Sequence, residues 1–130
     1  MLLTIKNLFE RNALYIAVFL TVIIGILSFI PMPTEKMSLS FPDKLSHFSA
    51  YFFLTTAWLY SIKDYQDFQK KIKFVFLGCF IYGIIIEVLQ DAITSHRTGS
   101  FLDILANAVG MILAMIVFIY LKKRSSLNGE

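Results

Sequence analysis

The chain has 130 residues, of which 57% are hydrophobic and only 16% are charged, with a formal net charge of +3. An average soluble domain is about 45–50% apolar and about 25% charged, and a single domain of this length cannot hide so much apolar surface from water. The composition excludes a disordered chain, a collagen-like chain and an ordinary water-soluble enzyme, and a single cysteine excludes a disulfide scaffold. We therefore predict an all-α membrane protein.

Four segments are long and apolar enough to cross a bilayer, which takes about 20 mostly apolar residues. The first ends at Pro31 and Pro33, since proline lacks the amide proton that continues a helix. For this first segment the alternative is a cleaved signal peptide, which would leave three spans, but no small-x-small cleavage motif follows it. The sequence predicts one four-transmembrane-helix bundle over 1–124 and a disordered tail over 125–130. The predicted helices are about 13–30, 45–62, 74–92 and 103–121.

Lysine and arginine are distributed unevenly among the segments that connect these spans. Nine of the 12 lie in the N-terminal arm, the 63–73 loop and the C-terminal tail, and the two other connections share three. Short cytoplasmic loops carry the excess of basic residues, so both termini are predicted to be cytoplasmic. The same rule explains the positive net charge, and we expect no nucleic-acid partner.

Polar side chains gather near the outward ends of the second, third and fourth predicted helices. A charged group at mid-bilayer costs about 2.5–3.5 kcal/mol on insertion scales, so these groups are expected to face inward and to pair. Ionisable residues within a membrane are by default candidates for a functional site. The residues are Asp43, Lys44, His47, Glu87, Gln90, Arg97, Asp103 and Asn107.

Helical spacing places several of these side chains on shared faces. Residues three or four apart lie on one side of a helix, so Asp43 and His47 share a face. Asp103 and Asn107 lie on one line with Gly110, and small residues on such a line let helices approach closely. The faces that carry the polar groups are thus the faces best suited to pack inward, which favours a shared polar pocket.

Several of these residues also have a purely structural explanation. Asp43 can cap the second helix, and Gln90 and Asn107 can join helices by hydrogen bonds. Glu87 can form an ion pair with Arg97. The gathering of all of them at one depth is harder to explain in this way than any residue alone.

The sequence assigns no catalytic residue. No HExxH or comparable metal-ligand spacing is present, so we expect no metal and no cofactor. No GxSxG motif is present, and Cys79 lies in an apolar span where a thiol is inert. Glu87 and His47 do have the residue types for general acid–base catalysis, so a membrane-embedded enzyme acting on a lipid-linked substrate stays an alternative. A small proton-linked transporter or flippase is a further one.

The polar residues follow one another in a definite order across most of the chain. That order is Asp43-Lys44-x-x-His47-x-x-x-Tyr51, Glu87-x-x-Gln90, Arg97 and Asp103-x-x-x-Asn107-x-x-Gly110. It resembles the VanZ-like family of membrane proteins, and the resemblance covers roughly residues 13–121.

The resemblance implies a multi-pass protein of the bacterial cytoplasmic (inner) membrane, in a family associated with teicoplanin resistance. It also implies a ligand-binding site at the extracytoplasmic face, which includes Tyr51. Lys44 and Arg97 have the chemistry to hold a phosphate or carboxylate. The expected partners are membrane lipids or a lipid-linked envelope precursor, and a lipoglycopeptide-like ligand is a further alternative. A homo-oligomer is also an alternative, since the sequence does not decide the oligomeric state. We therefore predict that the protein binds or remodels a headgroup at this site.

Overall fold

The described part of the chain consists of four α-helices and their connections. The computed structural model describes residues 1–30, 41–94 and 100–129, and all regular structure in these ranges is helical. The all-α prediction is confirmed for these residues. The helices are α1 (Leu2–Phe29), α2 (Phe41–Ser61), α3 (Phe68–Ile93) and α4 (Phe101–Leu127).

Three of these helices, α1, α3 and α4, are long and apolar enough to cross a membrane, and α2 is not one of those found among the described residues. The prediction of a helical membrane protein is confirmed in this coarser form, and the fourth span stays a prediction. The reason lies in the composition of α2, which interleaves a histidine, serines, threonines and tyrosines with its apolar residues.

The surroundings of α2 explain why it tolerates this composition. It packs most extensively against α4, and it also contacts α1 and α3. Leu54 and Leu59 on its inner side are at most 1% exposed, and Thr55 is fully buried. On α4, the small residues Gly110 and Ala114 are buried, as the predicted small-residue line requires. Because other helices cover much of α2, it needs less apolar surface than a helix that faces lipid.

The end of α1 follows from the proline that comes after it. α1 ends at Phe29, and the backbone of Ile30 is extended, with φ −75° and ψ 125°. Ile30 precedes Pro31 in the sequence, and a residue before proline is disfavoured in the helical conformation. The sequence predicts that the first span ends at about residue 30, and α1 ends at Phe29.

The helices extend beyond the apolar stretches from which they were predicted. α1 begins at Leu2 and α3 at Phe68, because a helix ends where its backbone hydrogen bonds end and not where its apolar residues end. α4 continues to Leu127, so residues 125–127 of the segment expected to be disordered are helical. The amide of Asn128 closes this helix by donating to the carbonyls of the last turn.

The apolar residues divide between a narrow core and an outer surface. Large side chains such as Phe19, Phe74 and Ile116 are at least 60% exposed, which is the arrangement expected of a bundle surrounded by lipid. The buried residues that form the core are Tyr51, Leu54, Cys79 and Met111 in one cluster and Leu59, Phe68 and Ile72 in another.

Polar contacts fasten α1 to its neighbours in the middle of the bundle. The indole nitrogen of Trp58 donates to Thr21 Oγ1 at 3.1 Å. The Tyr82 hydroxyl donates to the carbonyl oxygen of Thr21 at 2.6 Å. α2 and α3 therefore hold the same residue of α1, through its side chain and its backbone respectively.

Basic side chains organise the end of the bundle where α1 begins and α4 ends. Lys63 Nζ donates to Glu10 Oε1 at 2.8 Å, and Lys122 Nζ donates to the Lys63 carbonyl and lies 3.7 Å from the centre of the Phe68 ring. Partial burial alone would lower the pKa of Lys63, but the hydrogen bond to Glu10 and the nearby Tyr60 and Asp64 raise it above its usual value. The polar residues predicted as a site lie at the opposite end.

Candidate functional site

Three helices bring their polar ends together at one end of the bundle. α2 and α4 begin there and α3 ends there, because consecutive helices run in opposite directions. The side chains lie within hydrogen-bond or ion-pair distance of one another, and we call them the polar cluster. They are Asp43, Lys44, His47, Glu87, Asp103 and Asn107.

Lys44 joins the first turns of α2 and α4. Its ammonium donates to Asp103 Oδ1 and lies 3.6 Å from Asp43 Oδ2. The Lys44 side chain is 20% exposed, whereas the Asp103 side chain is 8% exposed. α2 begins at Phe41, so Asp43 lies within its first turn, and Asp103 lies in the first turn of α4, where the helix dipole favours a carboxylate.

His47 lies at the centre of the polar cluster. Its Nδ1 is 3.2 Å from Asn107 Oδ1 and 3.5 Å from Glu87 Oε1, while its Nε2 is 3.9 Å from Asp103 Oδ2. Nδ1 faces two acceptor oxygens, and this hydrogen bonding assigns the proton of the neutral ring to Nδ1. The lone pair of Nε2 then points toward Asp103.

Glu87 connects α3 to the other two helices of the polar cluster. It is 3% exposed, and its Oε1 faces His47. The backbone amide of Ser100, the N-cap residue of α4, donates to Glu87 Oε2 at 3.4 Å. The carboxylate thus lies at the N-terminal end of α4, where unpaired amide groups and the helix dipole favour negative charge.

Tyr51 lies one helical turn beyond His47 and borders the polar cluster from below. A Cβ on Gly83 would lie 3.1 Å from Tyr51 Cε1 and 3.3 Å from Asn107 Nδ2, so the ring packs directly on the backbone of α3. Tyr51 is 2% exposed, interacts electrostatically with Glu87, and its hydroxyl has no hydrogen-bond partner among the described residues. Buried hydroxyls normally have a partner, so this group can accommodate a water or a ligand atom.

Two of the predicted site residues lie elsewhere or outside the described ranges. Gln90 is buried, and its Nε2 donates to the carbonyl oxygen of Ser28 at 2.6 Å. It therefore joins α3 to α1, as the alternative of an interhelical hydrogen bond predicts. Arg97 lies outside the described residues.

Three side chains of the polar cluster have an arrangement that suits a metal ion. Asp43, His47 and Asp103 each offer one ligand atom, and these atoms lie within 4.8 Å of one another. The expectation of no metal rested on local motifs. Sequence spacing shows only the pair on α2, because the third ligand comes from α4, far along the chain.

Sequence reasoning missed the backbone groups that complete this end of the bundle. The Ser100 amide and the Ser28 carbonyl bind Glu87 and Gln90 respectively. Almost every residue has such backbone groups, so the residue type does not indicate which of them form these contacts. The predicted role of Gly110 is visible in the sequence, but the contact of Gly83 with Tyr51 is not.

Two apolar clefts of about 460 and 450 Å³ lie away from the polar cluster. Trp58, Cys79 and Tyr82 are among the residues that line the first, and Phe9 and Ala57 are among those that line the second. The polar cluster lines neither of them. Its own exposed side includes Lys44, the most exposed member of the ion-pair network.

Comparison with known proteins leaves the family of this chain open. No protein-family model and no solved structure matches it. An uncharacterized protein of Schizosaccharomyces pombe is 27% identical over 117 residues, which are 88% of this chain and 67% of the yeast protein.

Proposed function

We propose that this chain is a VanZ-like integral membrane protein that uses the polar cluster to bind or remodel a headgroup, carried by a membrane lipid or a lipid-linked envelope precursor. The observation that carries the proposal is the contact among six polar side chains from three helices. Ionisable groups at this depth are expensive, and apolar residues of similar volume often replace a buried ion pair without loss of stability. A cluster of this size is therefore better explained by binding than by packing.

The membrane arrangement that goes with this proposal has four spans. α2 is the fourth, and the other helices cover much of its surface. Both termini and the turn around Lys63 face the cytoplasm, because nine of the 12 basic residues lie on that side in the sequence. The polar cluster then faces the extracytoplasmic side of the cytoplasmic membrane.

Charge and exposure support an approach of the headgroup from the side of Lys44. Within the described polar cluster, Lys44 has the most exposed side chain. Its ammonium is a suitable point charge for a phosphate. Arg97, which follows α3 in the sequence, has the chemistry of a bidentate donor. His47 and Asn107, deeper in the cluster, provide hydrogen bonds to sugar or alcohol groups.

Two kinds of ligand belong to the proposal. The first is a phosphate-bearing headgroup, because the Lys44 ammonium is a suitable point charge for a phosphate. A lipoglycopeptide such as teicoplanin stays in the proposal as a second ligand, because its acyl tail brings it to the same depth.

The proposal is tested with the purified full chain in detergent. Native mass spectrometry measures the binding of phosphatidylglycerol, a polyprenyl phosphate and teicoplanin, with diacylglycerol as the uncharged control. We expect Lys44→Gln to weaken the binding of phosphate-bearing lipids at least tenfold. Lys63→Gln, the same change at the opposite end of the bundle, should leave their binding unchanged. Equal weakening by both variants, or equal binding of diacylglycerol, would contradict a headgroup site at the polar cluster.

An acid–base enzyme is a second candidate because of one contact. His47 lies 3.5 Å from Glu87, with Asp103 on its other side, which is a suitable arrangement for proton transfer. Mass spectrometry of the same lipids after incubation separates the two candidates. A new lipid product that Glu87→Gln abolishes and Lys63→Gln does not would favour the enzyme.

A further inference from the structure

We propose that Asp43, His47 and Asp103 form a binding site for one divalent transition-metal ion, and that the Lys44 ammonium competes with the ion for this site. The inference goes beyond the headgroup proposal and does not depend on it. The ligands come from the first two turns of α2 and the first turn of α4.

The distances allow one ion to reach all three ligands. Their ligand atoms lie within 4.8 Å of one another. Ligand atoms bound to one ion at about 2.0–2.2 Å lie roughly 3–3.5 Å apart, which side-chain rotation of the two aspartates achieves. Asp43 and His47 are four residues apart on a helix, the spacing by which helices commonly present two metal ligands on one face.

His47 is already oriented as a metal ligand. Its Nδ1 faces the Asn107 and Glu87 oxygens at 3.2 and 3.5 Å, so Nε2 carries the lone pair and faces Asp103. In metal sites the second ring nitrogen of a histidine ligand usually donates to a carboxylate or carbonyl oxygen, which fixes the ring and its tautomer. Asn107 and Glu87 have that position here.

The Lys44 ammonium shows where the polar cluster holds a positive charge. Its ammonium contacts Asp103 and lies 3.6 Å from Asp43, two of the three proposed ligands. Its side chain is 20% exposed, so the long flexible stem allows the ammonium to turn outward when an ion arrives. A metal ion and the ammonium therefore exclude each other, and the affinity for the ion includes the free energy of displacing Lys44.

The ligand set indicates the kind of ion. Two carboxylates with one imidazole suit Zn²⁺ or Mn²⁺ better than Mg²⁺ or Ca²⁺, which prefer oxygen ligands alone. Zn²⁺ is expected to bind more tightly than Mn²⁺. Three protein ligands leave a coordination position open for a further ligand such as a phosphate oxygen.

Metal binding is measured on the purified full chain after treatment with a chelator. By titration calorimetry we expect the protein to bind about one equivalent of Zn²⁺. Mn²⁺ should bind more weakly than Zn²⁺, and Mg²⁺ at least tenfold more weakly than Zn²⁺. Asp103→Asn and Asp43→Asn should each weaken Zn²⁺ binding at least tenfold. Asp67→Asn, the same change at the opposite end of the bundle, should leave Zn²⁺ binding unchanged. Lys44→Met should strengthen Zn²⁺ binding several-fold, because it removes the competing ammonium.

A spectroscopic measurement on the unaltered protein avoids variants that fail to fold. Electron spin echo modulation of bound Mn²⁺ should show coupling to an imidazole nitrogen, which only His47 supplies among the three ligands. Binding without nitrogen coupling, binding that Asp67→Asn weakens as much as Asp103→Asn does, or unchanged affinity in Lys44→Met would overturn the proposal. None of these results depends on lipid binding, so the headgroup proposal is judged separately.

Discussion

A Cβ placed on Gly110 would lie 2.3 Å from the backbone carbonyl oxygen of Phe48. α2 and α4 therefore touch backbone to backbone at this point, which only glycine permits. Phe48 follows His47 in the chain, and Gly110 lies one turn after Asn107 on α4. This contact sets the distance between the two helices at the level of the polar cluster, and so it sets whether His47 reaches Asn107 and Asp103.

Gly110→Ala is expected to separate α2 from α4. The methyl group meets a backbone atom that cannot rotate away, so the change should cost about 1–3 kcal/mol or more of stability. Gly78→Ala is the matched control, because a Cβ there has no neighbour within 4 Å. It should be neutral or stabilise the helix by up to about 1 kcal/mol. Thermal unfolding in detergent compares them, and equal stability of both variants would disprove the close contact.

Lys44 and Asp103 are expected to be energetically coupled. Removing one partner leaves a largely buried charge without its hydrogen bond, which costs about 1–3 kcal/mol. The variant Lys44→Met/Asp103→Leu should therefore be more stable than the sum of the two single changes predicts, by at least about 1 kcal/mol. Denaturant unfolding of the four proteins gives this coupling.

The exposed pair of Asp67 and Lys70 provides the control for that cycle. Its charged atoms are 3.8 Å apart, and both side chains are more than 60% exposed. Pairs of this kind are worth about 0.5 kcal/mol or less. Strictly additive effects at Lys44 and Asp103 would show that the two side chains do not interact.

Tyr82→Phe is expected to loosen the attachment of α1. The change removes the hydroxyl that donates to the Thr21 carbonyl at 2.6 Å, and interhelical hydrogen bonds in membranes are worth about 0.6–2 kcal/mol. Tyr15→Phe removes the same atom from a side chain that is 74% exposed, and its stability should not change. Resistance of α1 to limited proteolysis is a second measurement, and equal behaviour of the two variants would count against this contact.

Cysteine labelling tests the proposed orientation. On a Cys79→Ala background, Ser126→Cys should react with an impermeant maleimide only after the cells are permeabilised, because the C-terminal end carries part of the basic excess. Ser38→Cys, in the connection before α2, should react in intact cells. The reverse pattern would place the polar cluster at the cytoplasmic face.

Composition and hydropathy were sufficient to predict the class of the protein and most of the helices. Long apolar runs fix α1, α3 and α4, because a chain in lipid must satisfy its backbone hydrogen bonds within each helix. Pro31 marks the end of α1 for a reason that is local in sequence. Helical spacing also predicts that Asp43 and His47 share a face, since that depends on a single helix. The sequence also predicts that the polar side chains face the inside of the bundle, because a charge that faces lipid is costly.

Only the tertiary structure decided which polar groups meet. Gln90 is three residues from Glu87, yet it binds α1 while Glu87 contacts His47, because the two side chains reach different neighbouring helices. The separation of α2 and α4 depends on Gly110 meeting one carbonyl, and the grouping of Asp103 with Asp43 and His47 depends on that separation. Spacing along one helix is a local property of the sequence. Contact between helices depends on the packing of the whole bundle, which no single stretch of residues contains.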